Sequence, residues 1–297
     1  MKRVSWLLQF LLVVLLTLPV ALVPYRLSLK VGEALGSVLF FIWGSRRRIA
    51  IENLKGAISR GALIVNSSPE SVIKQNFRNL GKSFVEVIKI YYGLGDRIIE
   101  NVEIRGIERF RKAIGRGAGA ILVSGHCGNW ELKAIAFSVK VSPFSVVARP
   151  INNPFLNYVV ERVREKYGNH VIYKKGALKE ILLLLKRNGA AGILMDQSVL
   201  ASEGLITDFL GKKDYTMKTP ALLAMKTGSA VIPGFLRRAG DGHVLEIGEE
   251  ITLDKSDDAD KDLVNNTIKF QRHIEEYISQ NPSEWLWMHR RWKRIPQ

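Results

Sequence analysis

One octapeptide gathers groups able to do acid–base chemistry: Ser124-Gly125-His126-Cys127-Gly128-Asn129-Trp130-Glu131. An imidazole is a base near neutral pH, and a carboxylate can hold its tautomer and stabilise the imidazolium. Such a pair activates a hydroxyl for attack on a thioester. His126 is the candidate general base and Glu131 its candidate partner. The spacing alone is weak, because five histidines and 28 acidic residues give about half a match by chance. His126 is the histidine with an acid at that offset. Cys127 offers a rival chemistry, a thiol nucleophile working through an acyl-enzyme or as a thioesterase.

The setting of the octapeptide strengthens the case. Residues 118–124 (AGAILVS) are a short apolar run after a glycine-rich turn, which predicts a buried strand, and residues 131–139 predict a helix. In open α/β sheets ligands bind beyond the carboxyl ends of strands, and the two glycines permit tight turns. Further strands are predicted over 144–148, 170–173, 190–195, 230–236 and 243–247. Helices are predicted over 154–167, 178–187, 219–226 and 263–279, and from Pro69, with Ser68 as N-cap, to about Gly93. This alternation predicts an α/β fold, a layered sheet flanked by helices.

Residues 4–23 are almost wholly apolar, about 20 residues and enough to cross a bilayer core. The run is longer than a signal-peptide apolar region and lacks a good cleavage site, so it reads as a retained N-terminal membrane-anchor helix. Residues 31–43 are apolar but contain Glu33 and are short for a span; they are expected in the interface or packed on the domain. The division expected is 1–45 for anchor and interfacial segment and 46–297 for the catalytic domain. Lys2 and Arg3 precede the anchor, while Arg26, Lys30, Arg46, Arg47, Arg48 and Lys55 follow it. The heavier basic side is expected in the cytoplasm. The net charge of +16 favours acidic partners. With an anchor these are expected to be an anionic membrane or an acidic carrier protein, with no nucleic acid.

Several other chemistries lack their residues. There is no Gly-x-Ser-x-Gly elbow. Gly115-x-Gly117-x-Gly119 precedes its strand, so it is no dinucleotide loop. Ser71-x-x-Lys74 and Lys226-Thr227-Gly228 imitate penicillin-binding-protein motifs without the middle one between them. Five His and one Cys show no zinc spacing. No metal or cofactor is expected.

The octapeptide resembles the GH-x-GNWE block of the bacterial lipid A biosynthesis acyltransferases, the lauroyl/myristoyl transferase type. Further matches follow in order: Arg149-Pro150 with Asn153-Pro154, Asp196-Gln197, Gly204, Asp208-Phe209-Leu210-Gly211, Thr219-Pro220-Ala221, and Pro233 before Arg237. The segment from Trp285 to Lys293 resembles the family's ending, and the likeness spans essentially the whole chain. The resemblance implies a glycerolipid-acyltransferase-like fold in the bacterial inner membrane, with the catalytic domain facing the cytoplasm. It implies acyl transfer from an acyl carrier protein thioester to a hydroxyl of a lipid A precursor. By position it makes His126 and Glu131 the catalytic pair and implicates Arg164 and Asp196, with Arg149 a further site candidate. On residue chemistry alone Arg164 reads as an ordinary helix-surface charge. Asp196, ending a buried strand, needs a partner or a site role. Trp285, Trp287 and Trp292 have two readings, core packing or a membrane-interface site beside phosphate-binding Arg290 and Arg291. The alternatives of activity are an acyl-CoA-dependent acyltransferase of a glycolipid such as a phosphatidylinositol mannoside, and a membrane-anchored thioesterase.

Overall fold

A computed structural model describes residues 2–173 and 176–295. The chain begins with four helices: α1 (Lys2–Leu22), α2 (Tyr25–Ile42), α3 (Gly44–Ser59) and α4 (Pro69–Tyr91). The short α5 (Asp96–Glu100), β1 (Val102–Arg105) and α6 (Ile107–Ile114) lead into the alternating part. There follow β2 (Ala120–Ser124), α7 (Trp130–Lys140), β3 (Phe144–Ala148), α8 (Pro154–Lys166), β4 (Asn169–Tyr173), α9 (Ala177–Lys186) and β5 (Ala190–Leu194). A hairpin of β6 (Gly204–Phe209) and β7 (Lys212–Met217) precedes α10 (Thr219–Thr227), β8 (Ala230–Ala239), β9 (Gly242–Ile247) and α11 (Ala259–Gln280).

Seven strands form one sheet in the order β1-β9-β8-β2-β5-β3-β4. From β8 to β4 every neighbouring pair is parallel; β9 runs antiparallel to β8, and β1 parallel to β9. The expected α/β layering is therefore present, and the sheet is mixed at one edge. β2 is buried at all five residues, which is why its sequence is continuously apolar. Its two faces feed two cores. Ile121 and Val123 join Ile193, Phe270, Ile274 and the tryptophans. Leu122 joins Leu132, Phe137, Phe144 and Ile232 beneath α7.

α1 is long and apolar enough to cross a membrane. At about 1.5 Å per residue its 21 residues reach about 31 Å. Its flank touches the rest of the molecule at few points. The Thr17 and Tyr92 hydroxyls are 2.9 Å apart, the Asn153 amide donates to the Trp6 carbonyl at 2.8 Å, and Lys89 donates to the carbonyls of Ala21 and Val23. A cation on the last carbonyls of a helix satisfies groups that the helix leaves unpaired.

The segment 31–43 belongs to α2, which lies flat against α4. Small residues make this contact possible: a Cβ on Gly36 would come 2.2 Å from the Phe77 carbonyl oxygen, and one on Gly81 would come 2.0 Å from the Gly32 oxygen. α2 and α3 meet at a 91° bend beside Trp43. Two asparagines then clamp the C-terminal segment. Asn53 on α3 donates to the carbonyls of Trp287 and His289, and Asn76 on α4 donates to those of Ser283 and Trp285.

Candidate active site

The 125–129 turn leaves the carboxyl end of β2 and opens α7. Gly128 has φ +57, and a Cβ there would stand 2.2 Å from the Leu236 carbonyl oxygen, so the turn passes over β8 without room for a side chain. Asn129 caps α7, accepting from the Leu132 amide at 3.0 Å, and its amide donates to the buried Glu86 carboxylate at 3.0 Å. Glu86 is bound at both oxygens by Arg238, at 2.7 and 2.8 Å, and accepts from the Tyr25 hydroxyl. Burial would raise its pKa, but His243 and Arg238 outweigh that and hold it well below the usual carboxylate range. The C-terminal segment grips the other side of the turn: the Leu286 amide donates to the His126 carbonyl, and the Gly128 amide donates to the Glu284 carbonyl, each at 3.0 Å.

The carboxylate on the His126 ring is Asp196, not Glu131. Asp196 Oδ1 lies 2.7 Å from His126 Nδ1, and Asp196 Oδ2 accepts from the Trp285 indole at 2.8 Å. Asp196 follows β5, beside β2 in the sheet, so two neighbouring strand ends bring the carboxylate and the imidazole together. Asp196 is 1% exposed. Burial opposes its charge, yet His126 and Trp285 hold its carboxyl well below the usual range. With Nδ1 engaged, the other ring nitrogen, Nε2, is the one left to act as base. Gln197 Nε2 stands 3.4 Å from both ring nitrogens.

Glu131 faces another partner. Arg164 on α8 binds it through two bonds of 2.7 and 2.8 Å, and the Tyr91 hydroxyl donates to it at 2.8 Å. Arg164 is thus no solvated helix-face residue. This fork geometry locks a planar guanidinium in place. Glu131 adds a negative charge that raises the Arg164 pKa against the cost of its burial.

His126, Glu131 and Arg164 line one cavity of ≈ 840 Å³. Arg149 lies exposed at its rim. The sheet supplies one wall. Strand register puts Leu122, Gly192, Val146 and Val171 side by side across β2, β5, β3 and β4, with Phe144 and Asn169 one row lower. The wall has a notch at Gly192, where a Cβ would meet the Phe144 ring at 2.4 Å. From Ala148 down to Phe144 the wall spans five residues, about 13 Å.

Of the two readings of the C-terminal aromatics, core packing is the one seen. Trp285 and Trp287 are buried with their rings 4.6 Å apart and nearly perpendicular, so Trp287 offers no interfacial surface. Arg291 is also buried, donating to Thr216 Oγ1 at 2.7 Å with Asp214 at 3.6 Å, so it is not free to bind phosphate; Arg290 is exposed. Cys127 is buried, and desolvation raises its thiol pKa further, which suits no nucleophile.

Sequence reasoning missed four neighbours. Tyr91 and Lys133 carry no signal until the fold brings α4 and α7 together, and Trp285 stood out only as part of the C-terminal aromatic segment, not as a partner of Asp196. Gln197 was visible only as half of Asp196-Gln197.

Residues 2–294 match the model of the family described as bacterial lipid A biosynthesis acyltransferase. The chain is 26% identical over 276 residues to the lipid A biosynthesis palmitoleoyltransferase of Escherichia coli, covering 92% of this chain and 87% of the relative. It is 23% identical to the lipid A biosynthesis lauroyltransferase of the same organism, over 92% and 88% of the two chains. It is also 23% identical to the phosphatidylinositol mannoside acyltransferase of Mycolicibacterium smegmatis, over 75% and 73%. The chain belongs to the bacterial lipid A biosynthesis acyltransferase family and is an acyltransferase.

Proposed function

We propose that the protein moves a fatty acyl chain from an acyl carrier protein thioester onto a hydroxyl of a lipid A precursor at the cytoplasmic face of the bacterial inner membrane. The observation that carries the chemistry is the His126–Asp196 pair at the mouth of a largely apolar cavity. The acceptor follows the lipid A relatives, which align over 92% of the chain, against 75% for the mannoside relative. The membrane setting rests on α1 and on the basic residues that follow it. The carrier-protein donor rests on the +16 charge, which attracts an acidic protein.

In this reading the acyl chain lies along the sheet wall, with its thioester beside His126. His126 Nε2 takes the proton of the acceptor hydroxyl while Asp196 stabilises the imidazolium. The oxygen attacks the thioester carbonyl and forms a tetrahedral intermediate. Its collapse re-forms the carbonyl, breaks the C–S bond, and releases a thiolate that takes the proton back from the imidazolium. The ester stays on the lipid and the thiol leaves with the carrier. Glu131 holds Arg164 at the cavity wall and acts through it. Lipid A from cells lacking the gene, compared by mass spectrometry with complemented cells, tests the acceptor. One acyl chain should be missing and restored; unchanged lipid A with an altered glycolipid would replace the acceptor.

A further inference from the structure

Lys133 is unused by the chemistry above. It sits one turn into α7 and lines the same cavity as His126 and Ser124. Its ammonium makes one long contact, to the Gly234 carbonyl on β8 at 3.5 Å. Among the described residues no carboxylate lies within 4.0 Å of it. A partly buried cation without a counterion is costly, and the cost is relieved if an anion forms beside it. Acyl transfer creates such an anion, the oxygen of the tetrahedral intermediate, and stabilising it is often the largest single contribution to catalysis.

We propose that Lys133 is a further catalytic residue whose ammonium binds the oxyanion formed when the thioester carbonyl is attacked beside His126. This deepens the acyl-transfer reading of the same cavity. Leu122, Ser124, His126 and Gly234 line the cavity together with Lys133, so the ammonium faces the same space as the His126 ring. The charged neighbours are few. Asp196 attracts the ammonium from the strand end, His126 shares the cavity with it, Glu131 is neutralised by Arg164, and His289 and Lys293 reach the cavity from the C-terminal segment. Desolvation, partly offset by the Asp196 carboxylate, brings the Lys133 pKa down to about 8. Burial moves the thiol of Cys127 and the hydroxyl of Tyr91 upward and His289 down to about 4, so none of these titrates near 8.

The test uses the full-length protein in detergent, with an acyl carrier protein thioester as donor. Lys133→Met should lower kcat about 10²- to 10³-fold, the cost of losing one oxyanion donor, with KM nearly unchanged, and Lys133→Arg should recover part of it. Wild-type kcat should fall as pH rises through about 8, and this limb should vanish in Lys133→Met. If Lys133→Met fails to fold, the wild-type profile decides: a kcat flat from pH 7 to 9 overturns the proposal. Full kcat in Lys133→Met, or an effect confined to KM, also overturns it, the latter pointing to substrate binding. Hydrolysis of the thioester by water passes through the same oxyanion. Should wild type hydrolyse the donor without acylating lipid, the acceptor assignment fails while the Lys133 test still reads.

Discussion

Replacing Asp196 by asparagine asks whether that carboxylate orients the base. The substitution keeps the size of the side chain. An amide in this place keeps its bond to the Trp285 indole only by turning its oxygen toward Nε1, because the indole is a donor. Its NH2 then faces His126 Nδ1, and the ring proton moves to Nε2, the nitrogen that must accept. Loss of the charge-assisted bond alone is worth about 1.5–3 kcal/mol. Inversion of the tautomer adds to it, and together they approach the roughly 10⁴-fold loss of kcat seen when such a carboxylate becomes an amide, about 5 kcal/mol at 1.36 kcal/mol per decade. The assay is single-turnover acyl transfer at pH 7.5 with saturating donor and acceptor, alongside a thermal melt. Asp196→Asn should stay folded and lose at least a thousandfold in rate. A folded Asp196→Asn retaining a third of the activity would refute the pairing as the source of His126 basicity.

Other expectations follow from the same geometry. Glu131→Gln removes the ion pair with Arg164 while leaving His126–Asp196 intact, so its rate loss should be smaller, about 10- to 100-fold; equal losses would return Glu131 to the role of His126's partner. Phe144→Ala opens the lower end of the cavity and should shift preference toward longer acyl chains by roughly two carbons, read from competition between donors; an unchanged profile would put the chain elsewhere. Glu86→Gln leaves Arg238 buried beside a neutral group and should cost about 3–5 kcal/mol in denaturant unfolding. Asp196 should also weaken the fold in acid. Its lowered pKa gives stability that is full above the unfolded value of about 3.9 and is lost as pH falls through the lower folded value; melting temperatures of wild type and Asp196→Asn should therefore converge toward pH 2.

The apolar runs of the central strands were legible in the chain. β2, buried at every residue, has no polar positions to confuse its pattern, and β3, β4 and β5, though only partly buried, also lie within a residue or two of their apolar runs. β6 and β7 were illegible. Asp208, Lys212, Lys213 and Asp214 dilute the apolar alternation of that hairpin, and its turn, Leu210-Gly211, carries no familiar hairpin signal. β1 was equally hidden, four residues with two charges at the sheet's edge. At the site, the octapeptide held the imidazole, but its carboxylate partner lies elsewhere in the chain. Glu131 is near in sequence, yet the first turn of α7 faces it toward Arg164 and Tyr91, while the adjacency of β2 and β5 brings Asp196 across seventy residues. Strand order is a tertiary property that no spacing in the chain records. The same holds for Trp285, which reaches Asp196 only because asparagines on α3 and α4 pull the C-terminal segment over the turn.

Transfer itself, observed with purified components, tests the central claim most directly. Wild-type protein in detergent is given an acyl carrier protein thioester and a lipid A precursor, or acyl-CoA with the same chain, and products are read by mass spectrometry. One added ester on the lipid is expected, with a higher kcat/KM for the carrier-protein donor and no product above background with His126→Ala. Undiminished transfer by His126→Ala would contradict the catalytic assignment, and equal or better use of acyl-CoA would contradict the donor.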